Sequence, residues 1–543
     1  MKMENHNISL FKRLNMQRFK PIYWQYYLLF FLNALIIFIL IFRQGIICGW
    51  DLQFHLNRIE ELHYSLLSGH LLASNGSFTF SKIGLAVSTF YPYLFLYPFA
   101  IMRSLINPVI AYNVCLFFLT LLSFIVSYKA INNFPSQNRH TESGDLGFLF
   151  SLIYNNSGYL LLQFTQRGDI PEYIALIFLP LLLMGLLSLL KQPNSKKWLW
   201  MPITFVFIVY SHLLSAFIFT LFIIVILCLN YRQLDKIKLK KLLLSGVIIL
   251  GCTLPITLNI IISNHNNKIV APIVPDTLQN EALKSNDLLI NSLANLVPGP
   301  LSTVNLGFVV LICTFISLFI LRGYNSLGRQ LAVIGLFALI LSTNLFPWFI
   351  FQHTPLHIIQ FPWRFLGIAT FCIAYDASWV LQPLINKRGI LFLIFITINF
   401  ITFNYIHNYV HNGNQIIAYK QIRQYRKMAT DAVYTDYMPE QTLTGMDKAT
   451  YFRKKSDIHR HVAVINGHKV KLFQQQIKPG YNRISYTLTS LKPDRINYVT
   501  LPLLNYGNNH ASHGITAKQT SRGTTMIAFI PKSDKQVVTI YLH

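Results

Sequence analysis

The stretch Gly49-Trp50-Asp51-Leu52-Gln53-Phe54-His55-Leu56-Asn57-Arg58-Ile59 brings an acid, an imidazole and a guanidinium into register. On a helix, Asp51, His55 and Arg58 fall at i, i+4 and i+7 on one face, and Leu52, Leu56 and Ile59 fall on another. Such a helix suits a membrane surface, and its polar face holds the groups needed to move a proton and bind a phosphate. The same spacing also fits a plain alternative, in which Asp51 only caps the helix and His55 and Arg58 are solvated.

A second cluster, Arg167, Asp169 and Glu172, sits between apolar runs at 145–165 and 171–190. Charge at the edge of a membrane span marks a candidate site. The plain alternative is a helix start, with Pro171 in its first turn and Glu172 favoured by the helix dipole. His212 follows Ser211 inside the long apolar run 198–230, as a ligand or as a hydrogen-bonded packing histidine. Gln360-Phe361-Pro362-Trp363-Arg364 opens another run; Arg364 suits a lipid phosphate and Trp363 the headgroup level, a role compatible with simple interfacial anchoring. Glu60, Glu61, Asp276, Glu281 and Asp287 are the remaining acids near that face, and Asp376 lies deeper in a span without an assigned role. There is no P-loop, no dinucleotide fingerprint, no His-Glu-x-x-His, no paired-cysteine motif and no Asp-x-Asp of the kind that binds nucleotide-sugar through a metal.

The elements that must position these residues are largely apolar. Of 543 residues, 53% are hydrophobic and only 12% charged, against about 25% charged in soluble domains. This predicts an α-helical polytopic membrane protein with a soluble appendage. Lys12, Arg13, Arg18 and Lys20 precede a first apolar run at 26–42 with no small-residue cleavage site, so residues 1–25 are read as a cytoplasmic start and the run as a retained span. A transmembrane region over 26–411 follows, with a first outer loop at 44–90. Basic loops at Lys236–Lys241, Arg322–Arg329 and Lys387-Arg388 are expected in the cytoplasm. The region 90–230 admits two readings. In one, 90–106 dips without crossing and 198–230 makes two short spans, which puts Arg167–Glu172 outside with Asp51 and Lys196-Lys197 inside. In the other, 90–106 spans, 198–230 is one helix, and both placements reverse. Either gives about eleven spans, and the charge at Lys196-Lys197 favours the first.

From 412 onward the chain is expected to form an extracytoplasmic β-sandwich-like domain after an irregular connector. His468–Leu472 alternates polar and apolar residues, and 484–488 and 537–542 are rich in β-branched and aromatic residues. This part carries 19 Lys and Arg against 7 Asp and Glu. That balance suits an anionic cell-envelope polymer or lipid, and an outer domain makes nucleic acid an unsuitable partner. The six cysteines all lie at or before Cys372, leaving the tail without disulfides or thiolate metal sites.

Taken in order, Gly49-x-Asp51-x-x-Phe54-His55-Leu56-x-Arg58-Ile59, Gly69, Phe90-Tyr91-Pro92, Glu172 with Ala175–Leu181 and Gly185, Ser211-His212-Leu213, Gln360–Arg364 and Leu501–Leu504 resemble a known family. It is the bacterial polytopic family called pyruvoyl-tetrahydropterin-synthase-related membrane proteins, a label unrelated to pterin chemistry. The chain is also similar to the YfhO-like membrane proteins, and both groups look like the GT-C glycosyltransferase class. The resemblance covers nearly the whole chain, though Asn505-Tyr506-Gly507-Asn508 stands where it predicts a Tyr-rich, Pro-Gly turn.

The resemblance implies a GT-C-like fold and sugar transfer, with inversion, from a polyprenyl-phosphate donor to an acceptor hydroxyl on the outer face of the cell membrane. Asp51 is then the general base or acceptor-orienting carboxylate, and Glu172, from the charged cluster, is the second candidate catalytic residue. Arg58, Arg167 or Arg364 would stabilise the departing lipid phosphate, with His55, Asp169, His212, Gln360 and Trp363 as further substrate contacts. The chemistry can run without redox cofactors, and a divalent metal is left open because some members of the class use one. Two other classes compete: a lipid or polysaccharide transporter or flippase, which would favour broken helices and mid-membrane charge, and a non-catalytic wall-assembly scaffold working through its β domain.

Overall fold

The computed structural model describes residues 24–135, 144–266, 268–270, 272, 277–320, 326–383, 388–412, 416–443, 450–451, 456–512 and 515–542. The basic N-terminal residues, Asp276, Arg322 and Lys387 lie outside the described residues.

In chain order the principal helices are α1 (Trp24–Gln44), α2 (Leu52–Leu67), α3 (Tyr97–Leu105), α4 (Pro108–Asn132), α5 (Asp145–Asn155), α6 (Gly158–Phe164), α7 (Ile170–Lys191), α8 (Trp200–Val209), α9 (Leu213–Leu229), α10 (Lys236–Asn266), α11 (Phe308–Ile320), α12 (Ser326–Leu341), α13 (Leu366–Leu381), α14 (Arg388–Asn412) and α15 (Ile422–Thr430). Among the described residues, six segments are long and apolar enough to cross a membrane: Trp24–Gln44, Pro108–Asn132, Ile170–Lys191, Lys236–Ser263, Pro362–Leu381 and Gly389–Asn412. Shorter apolar helices fill in between them, including Leu213–Leu229, Phe308–Leu318 and Leu327–Leu341.

α1 shows how such a helix is placed. Phe30, Ala34, Ile37, Phe38 and Ile41 follow helical spacing and pack inward, while Leu28, Phe31, Leu32, Leu35 and Ile39 stay exposed. A helix that is apolar on both faces and exposed on one is solvated by lipid. α7 is 89% buried along its apolar window and runs through the middle of the helical body; α10 is 11% buried and lies at its periphery.

Contacts sort the segment ends into two sets. At one end, Lys197 Nζ donates to Asn133 Oδ1 at 2.9 Å, Gly147 N donates to Asn132 Oδ1 at 3.1 Å, and Lys241 Nζ donates to the Pro193 carbonyl. At the other end, Trp50 N and Asp51 N donate to the carbonyls of Gln166 and Arg167 at 3.0 and 2.8 Å. Arg167–Glu172 therefore shares the Asp51 end, and Lys196-Lys197 lies at the opposite one. α3 has nine residues, too few to cross, and 198–230 is two helices broken at Tyr210–His212, of which α8 has ten residues and α9 seventeen. The shared end of Asp51 and Arg167–Glu172 agrees with the first reading of residues 90–230.

The expected interfacial helix is instead buried. Along α2, His55, Asn57, Arg58, Glu60, Glu61 and His63 are all buried. Its polar side chains are covered by three parts of the chain far apart in sequence, 74–80, Arg103 and 425–428. The loop 74–79 wraps Glu61, whose carboxylate accepts from Thr79 N at 2.8 Å, Thr79 Oγ1 at 2.6 Å and Ser77 N at 3.1 Å. Arg103 Nε and the Tyr425 hydroxyl donate to Glu60 at 2.6 and 3.0 Å. Asn57 donates to Met428 O at 2.9 Å and accepts from Phe80 N at 3.1 Å. The Glu61 carboxylate, with donors on both oxygens, is held as a structural group.

The connector beyond 412 is stitched into the same body. β1 (Ile46–Ile47) pairs antiparallel with β2 (Ile416–Ile417), and α15 packs on α2. Residues 437–440 run beside 268–270, with Val270 N to Met438 O and Tyr437 N to Val270 O both at 2.8 Å.

The C-terminal domain has two antiparallel sheets. One orders β4 (His468–Lys471), β3 (Val462–Ile465), β7 (Asn497–Leu504), β10 (Thr524–Phe529) and β9 (Thr516–Gln519); the other orders β5 (Ile477–Gly480), β6 (Arg483–Leu488), β11 (Gln536–Tyr541) and β8 (His510–Ala511). Alternate residues of both, among them Ile465, Val499, Ile527, Ile484, Tyr486 and Ile540, meet in one apolar core. Tyr506 joins this domain to the rest: its hydroxyl donates to Tyr437 O at 2.8 Å and accepts from Ala86 N at 3.2 Å.

Candidate functional site

Two glycines let the chain bring Asp51 beside Arg167. A Cβ on Gly49 would lie 2.5 Å from Gln166 O, and one on Gly168, where φ is +68°, would lie 2.9 Å from the Leu52 Cβ. Only glycine fits both the close approach and the left-handed backbone. Asp51 occupies the N-cap position of α2 but makes no side-chain cap bond. Its carboxylate turns to Arg167, with Nε 3.3 Å from Oδ2. The reading of Asp51 as only a cap is thereby overturned.

Arg167 is the hub of the cluster. Nη2 lies 2.6 Å from Asp169 Oδ2, and Nη1 lies 2.7 Å from Glu172 Oε2. Nη1 also donates to Gln163 Oε1 at 2.9 Å, and the guanidinium stands 4.9 Å over the Trp363 ring. Asp169 caps α7, accepting from Glu172 N at 3.2 Å, and Glu172 also accepts from the Tyr159 hydroxyl. Arg364 Nε lies 3.6 Å from Glu172 Oε2 and has no hydrogen-bond acceptor among the described residues. Its Nη1 donates to Ile359 O at 2.7 Å and Gln360 Oε1 at 2.9 Å.

These residues border a cavity of about 1230 Å³. Asp51, His55, Arg167, Asp169, His212, Gln360 and Arg364 line it, so seven of the ten residues singled out in the sequence share one wall. The other three stand behind that wall. Arg58 is 3% exposed, donates to the carbonyls of Tyr91 and Pro92, and stacks 4.1 Å from the Tyr91 ring centroid. Glu172 and Trp363 are held beneath the two arginines. Helical spacing had put Arg58 on the face of Asp51, but the Tyr91-Pro92 turn covers that part of the helix. Arg58 thus shapes the wall, and Glu172 holds Arg167 and Arg364.

The environment sets the protonation of the wall. Enclosure raises Asp51 to about 6; Arg167 opposes the rise, Asp169 adds to it and Arg364 opposes it. The Asp51 side chain remains 46% exposed to the cavity, so water there works against the push. Burial holds His55 down at about 3, keeping it neutral at pH 7 although Asp169 Oδ1 lies 3.8 Å from its Nε2. Burial also acts upward on Asp169, but Arg167 outweighs it and holds that carboxyl well below its usual range.

One donor atom each from Asp169, Glu172 and His212 lies within 4.8 Å of the others, a donor set chemically suited to a divalent cation. The Arg167 guanidinium already occupies the position between the two carboxylates, however. His212 Nδ1 is engaged by Ser215, from whose N it accepts at 3.3 Å. The residues as arranged do not form an open metal site.

The opposite kind of lining comes from residues the sequence reading passed over. Tyr434, Asp436, Tyr437 and Glu440 of the connector, with Gln352 and His357, complete the cavity. The signal available was local: Tyr434-Thr435-Asp436-Tyr437-Met438-Pro439-Glu440 concentrates two tyrosines and two acids in a segment without period. Two lining residues, Gln360 and Tyr437, have φ of +63° and +68°. Left-handed backbone at such residues costs about 1–3 kcal/mol and is held by its surroundings. Leu213, Leu214 and Phe217 of α9 and Ile358 make an apolar edge to the cavity, with Leu213 and Ile358 exposed.

No family model matches the chain, and no curated protein matches it. Among solved structures, the single-particle cryo-EM structure of the arabinofuranosyltransferase AftD from mycobacteria is similar in part, at 11% identity and a TM-score of 0.42. The match covers 70% of this chain and 26% of that one, so the chain spans about a quarter of its length. A likeness of that degree assigns neither a shared fold nor an activity.

Proposed function

We propose that this chain is a membrane glycosyltransferase of the GT-C class, moving a sugar from a polyprenyl-phosphate donor to a cell-envelope acceptor on the outer face of a bacterial membrane. The observation that carries the reading is the wall of the cavity: Asp51, open to it, stands 3.3 Å from Arg167, and both share the wall with Arg364 beside the apolar edge of α9. A carboxylate, two guanidiniums and a lipid-like edge are what transfer from a lipid phosphate requires. The motif order of the sequence supports the same class.

In the step assigned to the site, the acceptor hydroxyl oxygen bonds the anomeric carbon on the face opposite the phosphate. The bond from that carbon to the phosphate oxygen breaks, and its electron pair stays on the phosphate. The hydroxyl proton passes to Asp51. The products are a glycoside of inverted configuration and polyprenyl phosphate. Arg167 and Arg364 offset the charge that develops on the leaving phosphate. An Asp51 raised to about 6 is a stronger base than an ordinary carboxylate and is still ionised at pH 7. The basic C-terminal domain suits an anionic polymer or lipid that presents the acceptor.

In the topology that belongs to this reading, the N-terminus is cytoplasmic, the chain makes about eleven passes and the β domain is outside. The test is to incubate the purified protein in lipid nanodiscs with a panel of labelled polyprenyl-phosphate sugars and envelope carbohydrate. Time-dependent release of polyprenyl phosphate supports the reading; a bound donor that is never cleaved rejects it in favour of transport or scaffolding.

A further inference from the structure

The cavity exceeds the about 300–1,000 Å³ that one small ligand usually needs, and its lining has two chemistries. The helical body contributes the cations Arg167 and Arg364 and the apolar edge of α9. The connector contributes aromatic rings and carboxylates. Tyr434 meets the Phe54 ring edge-on at 5.0 Å. Tyr437 lies parallel to Phe90 at 6.1 Å and edge-on to Tyr91 at 6.4 Å. Asp436 and Glu440 line the cavity beside them. Arg58 stacks on the back of this aromatic wall and is bonded to the Tyr91 and Pro92 carbonyls.

We propose that residues 434–440 form the subsite for the reacting sugar ring of the acceptor, and that this ring carries no acid group. The inference rests on reading the cavity as a site of glycosyl transfer. Aromatic faces pack against the C–H faces of a sugar ring, and carboxylates accept hydrogen bonds from its hydroxyls. A uronate placed there meets the carboxylates of Asp436 and Glu440 and is repelled by both. Any anionic part of the acceptor is left to the basic β domain. The subsite is pre-formed, because backbone bonds to 268–270 and the Tyr506 hydroxyl fix Tyr437 and its neighbours.

The experiment is saturation-transfer NMR on the full-length protein in nanodiscs, with methyl glucoside, methyl glucosaminide and methyl glucuronide as probes. The first two should receive saturation and the glucuronide little. Tyr434→Ala should weaken glucoside binding about tenfold, while Tyr434→Phe, which keeps the ring, should retain most of it. Asp436→Asn should narrow the gap between glucoside and glucuronide. Equal saturation of all three glycosides, no saturation of any, or glucoside binding untouched by Tyr434→Ala would overturn the proposal. Because binding is read without turnover, a cavity that binds glucoside through Tyr434 yet releases no polyprenyl phosphate sinks the transfer reading alone. Transfer that proceeds with a glucoside contact indifferent to Tyr434 sinks the subsite alone.

Discussion

Asp51 Oδ2 stands 3.3 Å from Arg167 Nε, and the backbone N–H of Asp51 donates to the Arg167 carbonyl at 2.8 Å. The two residues are held at both side chain and main chain although 116 positions separate them. The pairing joins the start of α2 to the loop before α7 and makes one wall from two parts of the chain.

Acid should switch the site off. A general base works only when deprotonated, and the raised Asp51 titrates at about 6. Turnover per bound donor is expected to fall roughly tenfold per pH unit below that point and to level off above it. A pH profile of polyprenyl phosphate release measures this; a profile flat from pH 4.5 to 7 would remove Asp51 as the base.

Arg167 should matter to folding before it matters to binding. It pairs with Asp169 at 2.6 Å and Glu172 at 2.7 Å, both buried. Arg167→Ala leaves two buried carboxylates short of their partner, which costs about 3–5 kcal/mol. Thermal unfolding in detergent should show a large loss, and Glu172→Gln a smaller one. A stable Arg167→Ala protein that has only lost donor affinity would return Arg167 to a purely substrate-binding role.

Gly168 should tolerate no side chain. Its φ of +68° and the 2.9 Å approach to Leu52 both oppose a Cβ. Gly168→Ala is expected to lower stability by about 1–3 kcal/mol and to lower transfer by displacing Arg167. Gly246→Ala, at a glycine with open space around it, is the control and should change little.

Topology can be read at exposed positions near the two ends. In a protein freed of native cysteines, Lys420→Cys, beside β2, should react with a membrane-impermeant thiol reagent in intact cells. Arg232→Cys, between α9 and α10, should react only after lysis. The reverse pattern would place the cavity in the cytoplasm.

Much of the wall was legible because charge is scarce. Asp51, Arg167, Asp169, His212 and Arg364 stand out in a chain with 12% charged residues. What covers each of them was not legible. Spacing assigns Arg58 to a helix face but cannot say that Tyr91-Pro92 folds over it. The burial of α2 depends on pairings such as Asn57 with Met428, 371 residues apart, which no local pattern encodes. Tyr434–Glu440 escaped for the same reason: an irregular segment becomes a cavity wall only through its bonds to 268–270 and Tyr506. The β domain was readable in 484–488 and 537–542 because strand alternation is local.

The most direct measurement compares wild type with Asp51→Asn for both donor binding and release of polyprenyl phosphate. The Asp51 side chain makes no cap bond, so the variant should fold normally. A general base at Asp51 predicts donor bound to within a few-fold of wild type and release slowed about 100-fold or more. Release by Asp51→Asn at the wild-type rate would contradict it.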